Sequence, residues 1–383
     1  MRKIGCVILA LCLFFGALPA VSAAELDVAG KSAVLMDMTT GTILYEKNAH
    51  EKLPPASVTK VMTLLLIMEA IDAGTISWED TVTTSEAAAA KGGSQIFLKV
   101  GETMSVTDLV KSIAVSSAND AACAMAEHIA GSEAAFVAKM NEKAAQLGMA
   151  DTHFVNCTGL DDDADAAQHL TCAYDIALMS RELMLHHPKI QEFTTIWMDT
   201  VRGGTFGLAN TNKLVRFYPG ATGLKTGFTQ KAGYCLSATA QRDGMHLIAV
   251  VMGAESSQAR FDACKQLLDY GFANFALVTP QLQEIYRVPV ELGAEKTVLA
   301  VPSEDIKLLI DKAQKGSVTT QVVLEQKVTA PVSQGQKLGM LTIRAGEQVL
   351  AQVPMVAENG VQKLTWGQLF GKLLRCITMR SNG

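Results

Sequence analysis

The chain has 383 residues, a formal net charge of −5, 49% apolar residues and 19% charged residues. This composition is that of a globular protein with a substantial core, and it excludes a disordered or fibrous chain. The negative net charge gives no support to nucleic acid as a partner.

Residues 1–23 read as a secretory signal peptide. Arg2 and Lys3 precede an apolar stretch over residues 4–20, and small residues follow up to Ala23. A basic start, an apolar run and small residues in this order are typical of a cleavable export signal. An uncleaved anchor helix is the alternative, although the apolar run is at the short end for a membrane span. We therefore expect an exported protein.

Residues 24–277 are predicted to form an α+β domain. The predicted elements are, in chain order, a β-hairpin over 33–46, helices over 57–73, 108–129 and 133–147, strands over 234–240 and 246–252, and a helix over 258–270. The first helix is apolar around its whole circumference, which predicts a position in the middle of the domain. Because strands come early and late with helices between them, we expect an antiparallel sheet flanked by helices, with its two halves from opposite ends of the domain.

Residues 278–358 are predicted to form a small all-β domain. Short segments such as 318–324 and 340–355 are apolar or alternate between apolar and polar residues, and a turn at Gly346 divides the second of them. Such short runs bounded by turns are typical of strands.

The tail over residues 361–380 is predicted to be a basic amphipathic helix. Its apolar residues recur at helical spacing, and it carries four basic residues and no acidic ones: Trp366, Leu369, Phe370, Leu373, Leu374 and Ile377 are the apolar set, with Lys363, Lys372, Arg375 and Arg380. A helix of this kind suits the membrane surface, and its charges argue against a spanning helix. Packing of the helix on the β domain is the alternative.

Cysteine and histidine patterns favour neither a metal nor a cofactor. Eight cysteines occur, two of them in the signal, and none forms a C-x-x-C pair. We expect buried free thiols, with Cys157 and Cys172 as the one pair to test for a disulfide, because export permits one. The seven histidines form no ligand pattern, and the acidic run over 161–165 is interpreted as a solvated loop.

Three short motifs contain the candidate functional residues. An S-x-x-K, an S-x-N and a K-T-G sequence follow one another along the chain, and together they match the motif set of enzymes that open amides or β-lactams through an acylated serine. Their candidate residues are Ser57 and Lys60, then Ser117 and Asn119, then Lys225, Thr226 and Gly227.

Ser57 is the predicted nucleophile and Lys60 its base. A serine hydroxyl reacts poorly unless a base lies within hydrogen-bond reach, and residues i and i+3 share one face of a helix. The lysine must be neutral for part of the time, and both burial and a nearby cation, for which Lys225 is the candidate, lower a lysine pKa. The positive end of the helix would favour an oxyanion at the acyl carbon.

The other two motifs offer proton transfer and substrate binding. The Ser117 hydroxyl can relay a proton to a leaving amine, and the Asn119 amide can hold a substrate carbonyl or the lysine; an ordinary capped helix start is the alternative. Lys225 and Thr226 can bind a terminal carboxylate, and Gly227 would let a substrate backbone approach a strand edge; a turn with a solvated lysine is the alternative.

With these motifs, the chain resembles the low-molecular-mass penicillin-binding proteins that act as serine-type D-alanyl-D-alanine carboxypeptidases, peptidase family S11. The likeness also includes the stretches 154–160, 210–214 and 231–234 and extends from the signal to the tail. It implies a penicillin-binding/β-lactamase-like catalytic domain that removes the terminal D-alanine from peptidoglycan pentapeptide stems without a cofactor. It also implies inhibition by β-lactams and a position at the outer face of the cytoplasmic membrane, with peripheral attachment through the tail.

The resemblance implies that Ser57 is the acylated residue, that Lys60 is its base, that Ser117 assists proton transfer, and that the other four motif residues bind substrate. Two positions depart from the family pattern: Cys157 replaces a frequent proline, and Thr211 stands where some members carry an arginine that assists carboxylate binding. A class A β-lactamase is disfavoured because no E-x-x-L-N segment lies between the second and third motifs. A D,D-endopeptidase and a β-lactam sensor without turnover remain as alternatives.

Overall fold

The computed structural model describes residues 26–162, 165–282 and 284–371 of the chain. The helices in these residues are α1 (Lys60–Asp72), α2 (Glu86–Ala89), α3 (Val106–Ser116), α4 (Asn119–Ala130), α5 (Glu133–Gln146), α6 (Ala173–His186), α7 (Gln191–Thr194), α8 (Leu214–Phe217) and α9 (Ser257–Asn274). The strands are β1 (Ser32–Asp37), β2 (Ile43–Lys47), β3 (Thr81–Thr83), β4 (Thr103–Ser105), β5 (Met198–Val201), β6 (Phe206–Ala209), β7 (Ala221–Thr229), β8 (Gly233–Arg242), β9 (Met245–Ala254), β10 (Phe275–Val278), β11 (Arg287–Glu291), β12 (Thr297–Pro302), β13 (Leu308–Asp311), β14 (Val318–Leu324), β15 (Val328–Thr329), β16 (Lys337–Ala345) and β17 (Gln348–Ala357).

A five-stranded antiparallel sheet forms the centre of the first domain, in the order β2-β1-β9-β8-β7. Strand β1 pairs with β2 in a hairpin and with β9 on its other side, where Ala33 lies opposite Val251. The predicted hairpin and the predicted origin of the sheet from both ends of the domain are therefore confirmed. Strand β7, which carries the K-T-G motif, is the last strand at one edge.

The sheet separates two hydrophobic cores. Successive side chains of a strand point to opposite faces, so Ile248 and Val250 pack toward the core that contains α1, while Leu247 and Ala249 pack toward α9. Helix α1 is buried on every side from its first residue to Met68, as its apolar composition predicts. The motif lysine at its start is thereby held inside the domain.

The helical region predicted over residues 108–129 is divided into two helices at the second motif, whose small residues also fit a loop or a helix end. Helix α3 ends at Ser116, Ser117 adopts a left-handed conformation with φ of 63°, and α4 starts at Asn119. A left-handed residue cannot continue a right-handed helix, so the chain changes direction at the second motif. The break turns the motif into a corner between two helices.

The second domain is an all-β unit with its own core, as predicted. Its six-stranded sheet has the order β14-β16-β17-β12-β11-β15, and residues such as Val288, Leu341 and Met355 are fully buried inside it. The three motifs all lie in the first domain, so the second domain carries none of the candidate residues.

The tail helix starts later than predicted. Val361 is buried and pairs with Val332, so this residue belongs to the β domain, and the helix begins only at Trp366. Trp366 is 87% exposed and Phe370 is 65% exposed. The rest of the predicted helix, over 372–380, and the signal over 1–23 lie outside the described residues. Among the helices described, none has both the length and the apolar character that crossing a bilayer requires.

Candidate active site

Ser57 and Lys60 meet at the start of α1. Ser57 lies on a 3₁₀ turn, Ala56–Thr59, that leads directly into the helix. The Lys60 Nζ atom lies 3.0 Å from Ser57 Oγ and donates a second hydrogen bond of 2.7 Å to the Thr158 carbonyl. Lys60 is fully buried, whereas Ser57 is partly exposed. The arrangement places an amine beside a hydroxyl that incoming molecules can reach.

Burial controls the charge of both motif lysines. It lowers the pKa of Lys60 to about 7, although the neighbouring Cys157 and Asp120 act in the opposite direction. It also lowers the pKa of Lys225 well below its usual value, with further lowering from the charges of Lys60 and Arg260. Of the two causes expected to lower the pKa of Lys60, burial acts, whereas the repulsion between the two amines lowers the pKa of Lys225. Near neutral pH, a substantial fraction of Lys60 is therefore the free base.

The K-T-G strand lies directly beside the Ser57 turn, and its glycine makes this possible. A Cβ atom on Gly227 would lie 2.7 Å from the Pro55 carbonyl oxygen and 3.1 Å from the Ser57 nitrogen, closer than ordinary contact allows. Lys225 is buried, and its Nζ atom donates to the Thr226 carbonyl at 2.9 Å. The first and third motifs are therefore joined without an intervening side chain.

The second motif presents two polar atoms without partners. Among the described residues, the buried Ser117 hydroxyl and the Asn119 Oδ1 atom have no hydrogen-bond partner. The amide nitrogen of Asn119 is held by the Gly92 carbonyl at 2.7 Å, which fixes the orientation of this side chain. Buried polar groups are usually satisfied, so such orphans at a site suit groups that bind an incoming molecule.

Thr211 connects the second motif to the third. Its backbone N–H donates to the Val115 carbonyl near the end of α3 at 3.1 Å, and its hydroxyl accepts a 2.7 Å hydrogen bond from Thr226. A threonine thus occupies the position for which the family resemblance suggested an arginine. Its role is to align the helix corner with β7.

The sequence analysis assigned no role to Gly159 and His169, which contact Ala56 and Thr59 of the Ser57 turn. Gly159 has φ of +81°, and a Cβ atom there would overlap the Ala56 carbonyl. The His169 ring accepts a hydrogen bond from the Val155 N–H at Nδ1, so its Nε2 atom carries the proton and donates to the Thr59 hydroxyl at 2.8 Å. The stretch around Gly159 was noted in the family resemblance, but no spacing rule links His169 to residue 59.

Arg260 of α9 supports the K-T-G strand and was also missed. Its Nη1 atom donates to the carbonyls of Gly227 at 2.8 Å and Cys235 at 3.3 Å, and its guanidinium lies over the Tyr234 ring. The sequence places this arginine in an ordinary helix, and only the packing of α9 against the sheet brings it to β7.

Cys157 and Cys172, the one pair considered for a disulfide, are not bonded to each other. Cys157 donates to Glu133 at 3.2 Å, whereas Cys172 lies beside Asp151, and all five cysteines in the described ranges are free and buried.

In the acidic run over residues 161–165, the Asp161 carbonyl accepts a hydrogen bond from Lys231 at 3.2 Å.

Comparison with known protein families matches both parts of the chain. The family model described as D-alanyl-D-alanine carboxypeptidase covers residues 19–256, and the model described as penicillin-binding protein 5, C-terminal domain, covers residues 278–363. Together they span the sheet with the three motifs and the β domain.

Individual relatives agree with these families. The D-alanyl-D-alanine carboxypeptidase DacF of Bacillus subtilis is 44% identical over 88% of this chain and 87% of its own length, and DacC of Escherichia coli is 34% identical over 96% and 91%. The crystal structure of penicillin-binding protein 5 from Haemophilus influenzae superposes with a TM-score of 0.75 at 31% identity, over 88% of this chain and 98% of that one. Penicillin-binding protein D2 of Listeria monocytogenes in its ampicillin-bound form gives a TM-score of 0.59 at 34% identity, over 65% and 99%. The chain therefore belongs to the serine-type D-alanyl-D-alanine carboxypeptidase family, with a penicillin-binding catalytic domain followed by the C-terminal β domain of penicillin-binding protein 5.

Proposed function

We propose that this chain removes the terminal D-alanine from peptidoglycan pentapeptide stems through an acyl-enzyme on Ser57. The observation that carries the proposal is the buried Lys60 amine, 3.0 Å from the Ser57 hydroxyl and with a pKa near 7. A base with a pKa close to the working pH is the most effective one for this proton transfer.

In the acylation step, Lys60 accepts the proton of Ser57 as Oγ attacks the carbonyl carbon of the penultimate D-alanine. The negative charge on the carbonyl oxygen develops near the positive end of the 3₁₀ turn and α1. The C–N bond then breaks, and the leaving D-alanine amine receives a proton through the orphan hydroxyl of Ser117. Water attacks the resulting ester and regenerates Ser57.

The substrate is held by the remaining motif residues. Its terminal carboxylate binds at Lys225 and Thr226, and the negative charge restores the ammonium form of Lys225 that burial disfavours. The unpartnered Asn119 Oδ1 atom accepts a hydrogen bond from a stem-peptide N–H. The edge position of β7 lets the stem pair with the strand beside Gly227.

β-Lactams enter the same site, because they also present a carbonyl and a carboxylate to these groups. Ser57 opens the lactam ring, and the former ring nitrogen stays attached to the acyl group, so the adduct leaves slowly. The ampicillin-bound form of the Listeria monocytogenes relative supports this part of the proposal.

The chain is proposed to work outside the cytoplasmic membrane. The signal over residues 1–23 directs export, and the tail holds the enzyme at the membrane surface as a peripheral protein. The exposed Trp366 and Phe370 at the start of the tail helix support this placement, because aromatic side chains bind well at the membrane interface.

The first test is the Ser57→Ala variant. We expect loss of penicillin labelling and a fall in D-alanine release on the order of 10⁴-fold or more, because the attacking atom is gone. Labelling is read by mass spectrometry with peptide mapping, and D-alanine release is measured from a linear pentapeptide. Ser77→Ala at an exposed turn is the control and should behave as the wild type. A labelled Ser57→Ala protein would move the nucleophile elsewhere.

The same assays separate the alternatives. A D,D-endopeptidase would cleave cross-linked muropeptides in preference to the linear pentapeptide. A sensor would retain the covalent adduct and release no D-alanine. Either result with the wild-type protein would replace the carboxypeptidase assignment.

The pKa of Lys60 predicts how acylation depends on pH. Only the free base accepts the serine proton, so the second-order rate of β-lactam acylation should rise about tenfold per pH unit below about pH 7 and level off above it. Stopped-flow measurement from about pH 5 to pH 9 gives this profile. Lys60→Arg should be inactive throughout, because arginine keeps its proton. A rate that is flat or falls with rising pH would exclude Lys60 as the base.

Gly227→Ala should disturb the site without unfolding the domain. The added Cβ atom meets the backbone of the Ser57 turn, and a displacement of about 1 Å at a nucleophile can cost roughly 10²-fold in rate. We therefore expect acylation to slow by about this factor. Gly207→Ala is the matched control, because this glycine also lies in a strand and a Cβ atom there meets nothing. Equal rates for the two variants would contradict the close approach of β7 to Ser57.

Removal of the tail should abolish membrane association. A signal-cleaved chain that ends at residue 364 keeps the β-domain pairing of Val361 and Lys363 but lacks the helix that begins at Trp366. In flotation with anionic vesicles, the full-length mature chain should float and the shortened chain should stay at the bottom. Flotation of the shortened chain would place the membrane contact elsewhere.

A further inference from the structure

Three side chains with metal-binding atoms lie together outside the three motifs. His50 Nδ1 is 3.0 Å from Asp151 Oδ2, and Cys172 Sγ is 3.8 Å from the same oxygen. All three donor atoms lie within 4.8 Å of one another. In the portion of the chain that the structure describes, this is the one group of three or more His, Cys, Asp or Glu residues that could hold a metal ion.

We propose that His50, Asp151 and Cys172 form a binding site for Zn²⁺. Zinc binds histidine nitrogen, carboxylate oxygen and thiolate sulfur at about 2.0–2.3 Å, and tetrahedral angles then separate the donor atoms by roughly 3.3–3.8 Å. The His50–Asp151 separation of 3.0 Å and the Cys172–Asp151 separation of 3.8 Å lie close to this range. The three atoms, all within 4.8 Å of one another, need to adjust by side-chain rotation to hold one ion between them.

The chemistry of the donors selects the metal. Calcium and magnesium prefer oxygen ligands only, whereas a set of one nitrogen, one oxygen and one sulfur suits zinc. The Asp151 carboxylate and the Cys172 thiolate together balance the two positive charges of the ion. Binding releases the thiol proton to solvent, and the zinc–sulfur bond replaces the S–H bond.

Backbone pairing holds the three residues in place before any ion binds. Leu53 and Thr171 exchange two backbone hydrogen bonds, of 2.7 and 3.0 Å, which keep the segment after β2 beside the start of α6. The Asp151 N–H donates to the Asp175 carboxylate at 2.9 Å, which ties the third segment to the same helix. A site preorganised in this way loses little entropy when it binds an ion.

The proposed site is open to solvent on the side of His50, and the neighbouring Lys52 does not block it. The His50 side chain is 62% exposed, so water can enter and complete the coordination as a fourth ligand. The Lys52 ammonium pairs with Asp151 Oδ1 at 3.4 Å, on the carboxylate oxygen that does not face His50 and Cys172. Lys52 is itself 54% exposed and can turn away into solvent.

The test uses the signal-cleaved chain with Cys376→Ser, so that the tail thiol contributes no ligand. After removal of metal by a chelator, the protein is titrated with Co²⁺ as a spectroscopic probe and with Zn²⁺ in a calorimeter. We expect one equivalent of each ion to bind, with a near-ultraviolet thiolate-to-cobalt band and a rise in the melting temperature with Zn²⁺.

Single substitutions assign the ligands. Cys172→Ser keeps the cap of α6, because serine is a preferred N-cap residue, so the fold is preserved while the thiolate band should disappear. His50→Ala and Asp151→Asn should each weaken Zn²⁺ binding by more than about 10-fold. Loss of a group that only hydrogen-bonds a metal ligand already costs about 10–100-fold in affinity, and these variants change the ligands themselves.

The controls are Lys52→Gln, which removes the ion-pair partner of Asp151 but no proposed ligand, and His186→Ala, which removes an exposed histidine outside the proposed site. Both should bind Zn²⁺ within a factor of about three of the parent chain, the context dependence expected for a single contact. A thiolate band that persists in Cys172→Ser, or a parent chain that binds neither ion, would overturn the proposal. These readouts do not depend on D-alanine release, so failure of the enzyme assignment would leave the metal result intact.

Discussion

The burial of Lys60 is the constraint on which the rest of the catalytic domain depends. A lysine in water is a cation, and only removal of water from its amine makes it a base near neutral pH. The apolar surface of α1 removes that water, because the helix is surrounded by core from its first turn. Burial of the ammonium form costs folding stability. This cost is greatest below about pH 7, where Lys60 is protonated in both the folded and the unfolded chain. It declines as the pH rises from about 7 toward 10.5, where the unfolded chain also loses the proton.

Close backbone contact, more than side-chain chemistry, assembles the reactive turn. Gly227 and Gly159 lie on two sides of it, and at either position a Cβ atom would displace the backbone of Pro55 or Ala56. Each motif therefore has a spatial role beside its chemical one. The lysine and threonine of K-T-G contact the incoming carboxylate in the proposed reaction, while the glycine sets the separation between β7 and the nucleophile.

Much of this architecture can be predicted from the sequence because local patterns carry it. The hairpin, α1, the late strands, α9 and the β domain follow from periodicity and turn residues. The break at Ser117 does not, because small residues are compatible with both a helix and a corner. Thr211, Arg260 and His169 also escape prediction, since each acts on a residue that is distant in the chain. The same applies to His50, whose proposed partners come close only through the pairing of Leu53 with Thr171.

The order of strands in the central sheet has a consequence for when the enzyme can become active. Strand β1, near the start of the described residues, pairs on one side with β9, near the end of the domain. The chain cannot complete this sheet until β9 is also available for pairing. Contacts between such distant segments form slowly, so β7 and its lysine join the Ser57 turn only late in folding. The topology thus makes the active site depend on the folding of the whole domain, because β7 joins the sheet only through β8 and β9.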